Sequence, residues 1–124
     1  MCILIKEKEN MKHEMKIKAI YFEKIKKGEK IYEVRLNDEK RRAMDVGDVL
    51  VLKKEPDQVE ELYLEIKDLV YFDSFDEMVN TLPSEKIGFA GMEKQAIVDV
   101  YHSFYSPADE RKHGVVAIKV QVMK

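Results

Sequence analysis

The stretch Lys30-Ile31-Tyr32-Glu33-Val34-Arg35-Leu36 (KIYEVRL) decides how the chain reads. Tyr32, Val34 and Leu36 alternate with Ile31, Glu33 and Arg35, and a period of two is the mark of a half-buried strand. Residues two apart on a strand project to the same side, about 6 to 7 Å from each other. Glu33 and Arg35 therefore share one face, and Tyr32, Val34 and Leu36 are expected to pack in the core. Lys30 sits where the chain enters the strand after Gly28. Two readings of the charged face stand side by side. It is a solvated surface whose Glu33–Arg35 pair contributes under about 1 kcal/mol, or it lines a concave site that presents an ammonium, a carboxylate and a guanidinium together. In the second case the guanidinium is a planar fork suited to phosphate or a base edge. The carboxylate accepts from an exocyclic amine.

Working outward, "HEMKIKA" alternates, with Met15, Ile17 and Ala19 on its apolar face. "IYFEKIKKG" changes to a helical period, with Tyr21, Phe22 and Ile25 on one face and Gly28 as the stop. "NDEKRRAM" opens with a capping residue, Asn37 or Asp38, and predicts one helical turn. "DVGD" is a turn, and "VLVLKK" is apolar on both faces, as a central strand is. "EPDQVEE" reads as a loop or hairpin end leading into "LYLEIKDLVYF", where Leu62, Leu64 and Ile66 share a face. "SFDEMVNTL" predicts an amphipathic helix with a Ser74/Glu77 capping box and a Phe75, Met78, Val79, Leu82 stripe. "SEKIGFAG" reads as a loop. "MEKQAIVDVYHSFY" predicts a helix with Met92, Ala96, Ile97, Val100, Tyr101 and Phe104 inward. Ser106 and Pro107 fit the start of a short helix ended by Gly114. "VVAIKVQV" is a strand with Val116, Ile118, Val120 and Val122 on one face. Five or six strands among several short helices, without regular βα alternation, define an α+β class with a strongly bent, mostly antiparallel sheet or small barrel.

The 124 residues are the size of one domain, here read as residues 1–124, with 1–12 a flexible segment or an edge strand. Met11 offers an alternative start. At 45% apolar and 37% charged, the composition is that of a soluble globular chain. No apolar run approaches the roughly 18 to 20 residues of a membrane span, and the opening MCILIKEKEN is too short for a signal peptide. Cys2 is the only cysteine, so no disulfide within the chain is expected and a cytoplasmic location is the default. The net charge of -2 argues against a chain that binds polyanions over its whole surface. Residues 24–42 nonetheless hold eight basic and four acidic side chains, +4 against -6 elsewhere. That concentration is weak support for an anionic ligand.

The ordered set Gly28, Lys30, Glu33 and Arg35 has the spacing G-x-K-x-x-E-x-R. With the Gly47–Asp48 turn into an apolar strand and the late "YSPADERKHGVVAIKV", it resembles ASCH domains of the PUA-like superfamily over roughly residues 13 to 122. The resemblance implies a PUA-like β-barrel and a polar cleft lined by Lys30, Glu33 and Arg35. It also implies RNA or a modified nucleoside as partner. Lys40 and Arg41 are candidate phosphate contacts, with Arg42 beside them, though a solvated charged turn reads equally well there. Tyr105 is either a base-stacking ring or a core residue. Some small ASCH proteins are amidohydrolases acting on acetylated cytidine, with a lysine at the position of Lys30, a threonine three residues later and a glutamate from a later segment. Here Lys30 matches, the threonine position holds Glu33, and Glu85 is near the place of the other carboxylate. Catalysis by Lys30, Glu33 and Glu85 with a water nucleophile is the alternative function. A protein-interaction module is the third. His13, His102 and His113 lack ligand spacing, so neither a metal nor a cofactor is expected. Met78 and Met92 are read as packing residues.

Overall fold

A computed structural model describes residues 10–123. Five strands form one sheet: β1 (Lys12–Ile17), β2 (Tyr32–Leu36), β3 (Val49–Lys54), β4 (Glu61–Phe72) and β5 (Val115–Val122). Their order is β1-β3-β4-β5-β2. β1 runs parallel to β3, and the other three pairings are antiparallel. Among the described residues the sheet curls into a half-barrel and does not close, with β1 and β2 as its two free edges. A closed barrel, one of the forms expected from the sequence, is thereby corrected to an open one. β1, the strand read from HEMKIKA, begins at Lys12, and the flexible segment or edge strand expected over residues 1–12 falls on the residues before it. Residues 1–9, and whatever was anticipated for them, lie outside the described residues.

Among the described residues five helices accompany the sheet: α1 (Ala19–Lys26), α2 (Glu39–Arg42), α3 (Phe75–Thr81), α4 (Lys94–His102) and α5 (Pro107–His113). A 3₁₀ turn, Ser84–Ile87, precedes α4. Ala19 opens α1 and does not extend β1. The caps form as the sequence suggests: Asp38, Ser74 and Ser106 accept from the backbone N–H groups of Arg41, Glu77 and Asp109. Glu77 reaches back to the N–H of Asp73 at 3.1 Å, one residue earlier than the expected box. Among the described residues no helix is long and apolar enough to cross a membrane.

β5 is buried on both faces. Val115 and Ala117 join one cluster with Val34, Leu36, Phe75, Met78 and Ile97. Val116, Ile118 and Val120 join another with Met15, Phe22, Ile25, Leu50, Leu52 and Leu64. Alternation on a strand puts these clusters on opposite sides of the sheet. A bulge in β4 between Ile66 and Asp68 lets one strand feed both. Leu64 and Ile66 face the second cluster, whereas Phe72, at the same parity, faces the first. One inserted residue reverses which side each later side chain takes.

Three packing expectations are corrected. Met92 is 38% exposed because α4 starts only at Lys94, and Phe104 is 54% exposed because α4 ends at His102. Ala96 is also exposed, and Ile97, Val98 and Tyr101 form the buried face.

Candidate functional site

β2 places its charges as the alternation requires. Val34 and Leu36 are buried in the core, and Tyr32 packs against it half-buried. Glu33 and Arg35 face a cavity of about 410 Å³. Lys30 is 2% exposed and Glu33 6%. The Lys30 Nζ donates to the carbonyl of Tyr32 at 2.7 Å and to that of Ile87 at 3.0 Å. It lies 3.3 Å from Glu33 Oε1. Those three acceptors occupy the three protons of an ammonium. A neutral amine would leave a buried acceptor without a donor. Burial lowers the Lys30 pKa, and Glu33 opposes that shift. For Glu33 burial is again the largest influence and pushes the carboxyl up. Lys30 and Arg35 together outweigh it and hold the carboxyl below its ordinary value. The pair is thus an ammonium facing a carboxylate.

Arg35 completes the triad. Its Nη2 donates to the Lys16 carbonyl at 2.9 Å and to Glu33 Oε2 at 3.3 Å. Burial alone would lower the guanidinium pKa, but Glu33, with the Tyr105 hydroxyl beside it, raises it. Both contacts to Glu33 are longer than the 2.7–2.9 Å usual for charge-assisted bonds, so its oxygens keep acceptor capacity.

The segment read as a plain loop, SEKIGFAG, is what encloses Lys30. The N–H of Ile31 donates to the Lys86 carbonyl at 2.9 Å, which draws the 3₁₀ turn onto the start of β2. Gly88 has φ +93°, and a Cβ there would lie 2.8 Å from Lys30 Cδ. Only glycine meets both the left-handed backbone and the close approach.

Aromatic rings wall the cavity. Tyr101 stacks on Phe75 with centroids 4.6 Å apart and meets Phe89 edge-on at 5.7 Å. Tyr21 lies 5.5 Å from Phe89, and Tyr105 lies 5.8 Å from Phe75. The exposed Phe104 also lines the cavity. The Lys18 Nζ sits 4.7 Å from the centre of its ring. Lys16, Lys18, Lys30 and Arg35 face Glu33 and Glu55, so cations outnumber carboxylates two to one. Burial, with Glu33 adding to it, raises the pKa of Tyr101 well above its ordinary value, so its hydroxyl stays neutral.

Of the residues singled out from the sequence, Lys30, Glu33, Arg35 and Tyr105 come together here. Tyr105 serves both of its anticipated roles in part, since it packs on the core and lines the cavity. Lys40 is exposed on α2 and does not line the cavity. Arg41 stands beside it: burial lowers its pKa, and Arg35 adds to that. Glu85 is exposed on the 3₁₀ turn and does not line the cavity either. Of the two carboxylates that the hydrolytic alternative offers, Glu33 therefore lines the cavity beside Lys30 and Glu85 does not. Sequence reasoning passed over Tyr21, Phe89, Tyr101 and Phe104. Their signal was the aromatic content of "IYF", "GFAG" and "VYHSFY", which reads equally well as core. The histidines are apart: His13 Nε2 lies 2.8 Å from Asp48, and His102 Nε2 lies 2.8 Å from Glu110.

A mixed α+β fold on a curled, half-barrel sheet of five strands defines the class of molecule. The chain belongs to the ASCH domain family, whose model matches residues 15–124. It is similar to the crystal structure of a hypothetical protein, PH0355, at 35% identity and a TM-score of 0.82, covering 91% of this chain and 100% of that one. It is also similar to the solution structure of protein PF0455 from Pyrococcus furiosus, at 32% identity and a TM-score of 0.72, covering 92% and 99%. No curated protein matches the chain.

Proposed function

We propose that the protein binds RNA by seating one unstacked nucleotide in this cavity. The observation that carries the reading is the pairing of buried Glu33 with half-buried Arg35 in an aromatic-walled, net-positive space. A volume of about 410 Å³ falls in the range of small-molecule sites, roughly 300 to 1,000 Å³. Aromatic walls stack on any base. Glu33 is an ionised acceptor for a base N–H, and Arg35 is a donor for a carbonyl or phosphate oxygen. Lys16 and Lys18 are placed for a phosphate. Membership of the ASCH family, which is associated with RNA, supports the same reading.

Lys30 acts as a positioning residue. Its protons are spent on two carbonyls and on Glu33, so it fixes the carboxylate and is not a free base.

The test is a fluorescence titration of mixed-sequence RNA oligomers at two salt concentrations. Arg35→Ala is expected to weaken binding, and affinity is expected to fall with salt as counterions are released. Phe104→Ala, on an exposed ring, is expected to weaken binding by about tenfold through lost stacking. Absence of binding at low salt, or binding indifferent to both substitutions, would remove this reading.

A further inference from the structure

A second groove, of about 520 Å³, lies at the end of the β2–β5 pair. There the N–H of Asn37 donates to the Gly114 carbonyl at 2.9 Å, joining the exit of β2 to the end of α5. Arg111, Lys112 and His113 from α5 line one side, and the exposed ring of Tyr71 and the carboxylates of Asp73 and Glu77 line the rest. Three buried side-chain polar atoms have no protein partner among the described residues: Asn37 Oδ1, Arg41 Nε and His113 Nδ1. Asn37 and His113 belong to the groove itself. Arg41, four residues after Asn37, has its charge felt by Arg35, Tyr105 and Glu33 of the first cavity. Its side chain is only 12% exposed. Arg41 thus keeps a buried N–H without a partner among the described residues, four residues after Asn37 in the chain.

Building on the proposed function, we infer that this groove is a second nucleotide subsite, joined to the cavity along β2, where Arg35 lines the one and Asn37, just past the strand, lines the other, and that the partner is a single-stranded RNA segment rather than a free nucleoside. Arg111 and Lys112 are exposed and form no ion pair among the described residues, so they are free for phosphate. Tyr71 offers a ring face for the neighbouring base. Asp73 and Glu77 repel phosphate from the opposite wall and confine the backbone to the α5 side. The carboxylate of Glu77 is already engaged by the Asp73 N–H.

The experiment compares nucleoside monophosphates with mixed-sequence RNA oligomers of two to eight nucleotides. The proteins are the wild type, Arg35→Ala, Tyr71→Ala and the double variant Arg111→Ala/Lys112→Ala, each checked for fold by circular dichroism. The oligomers are expected to bind more tightly than the monophosphates. The double variant is expected to lose about tenfold in oligomer affinity and about 1.4 units of salt slope, while the part of monophosphate binding that depends on Arg35 is retained. Tyr71→Ala is expected to weaken oligomers alone. If oligomers bind no tighter than monophosphates, or if the double variant leaves oligomer affinity intact while Arg35→Ala abolishes it, the second subsite is overturned and the cavity reading stands. If neither ligand binds the wild type, both fall.

Discussion

At Lys30 the chain buries a charge among acceptors that leave it little choice of protonation state. Its partner Glu33 follows the same logic in reverse. Removing one member of such a pair strands the other, which costs about 3 to 5 kcal/mol. Glu33→Gln is therefore expected to destabilise the fold by about 3 kcal/mol near neutral pH, read as a lowered urea midpoint. The pH dependence has a definite sign. The carboxyl of Glu33 is lower in the folded state than in the unfolded chain, held there by Lys30 and Arg35 against burial. Its stabilisation is complete above the ordinary carboxylate value, about 4.3. It is lost as pH falls through the lower folded value. Glu33→Gln should flatten the acid side of the stability profile, and an unchanged acid slope would count against an ionised Glu33. Gly88→Ala tests the enclosure from the other side. It is expected to destabilise the fold, because the new Cβ meets Lys30 in a left-handed backbone. Lys30, Glu33 and Arg35 were legible in the sequence because a period of two assigns faces. Burial of Lys30 was not legible, because its cover comes from Ile87 and Gly88, more than fifty residues away in the chain.

At the scale of elements, caps and breakers were the reliable signals. Asp38, Ser74 and Ser106 all cap as their residue types suggest, because a side-chain oxygen at the N-cap satisfies an N–H that the helix cannot. α5 has a further duty. Its Glu110 accepts from the Phe75 N–H at 2.7 Å and lies 2.8 Å from His102 Nε2. Phe75 in turn supports Tyr101 and Tyr105. Ser106→Ala is expected to cost about 1 kcal/mol, a fall of roughly 4 °C in Tm by calorimetry. An unchanged Tm would mean that tertiary contacts, not the cap, hold α5. The bulge in β4 escaped notice because "LYLEIKDLVYF" is apolar enough to satisfy either parity. Only pairing with β5 reveals that Val70 and Phe72 have changed sides. The face of α4 was misjudged for a related reason. "MEKQAIVDVYHSFY" supports a helical period over more residues than the helix occupies, so its ends were assigned a burial they do not have.

For the whole molecule, the α+β class and its mixture of strands and short helices followed from local periodicity. Closure did not, since no local pattern reports whether β1 and β2 meet. The openness matters, because the cavity lies against β2, an edge strand, where aromatic residues of α1, α4 and the segments around it replace a further strand. The central claim is that a nucleotide of RNA enters this space and meets Glu33 and Arg35. The most direct measurement is a two-dimensional amide NMR titration with a short RNA oligomer, in wild type and Arg35→Ala. Perturbations are expected to centre on β2, on Ile87–Phe89 and on Tyr101–Tyr105, and largely to vanish in the variant. Perturbations confined to surfaces away from the cavity, or a wild-type spectrum unmoved at saturating RNA, would contradict it.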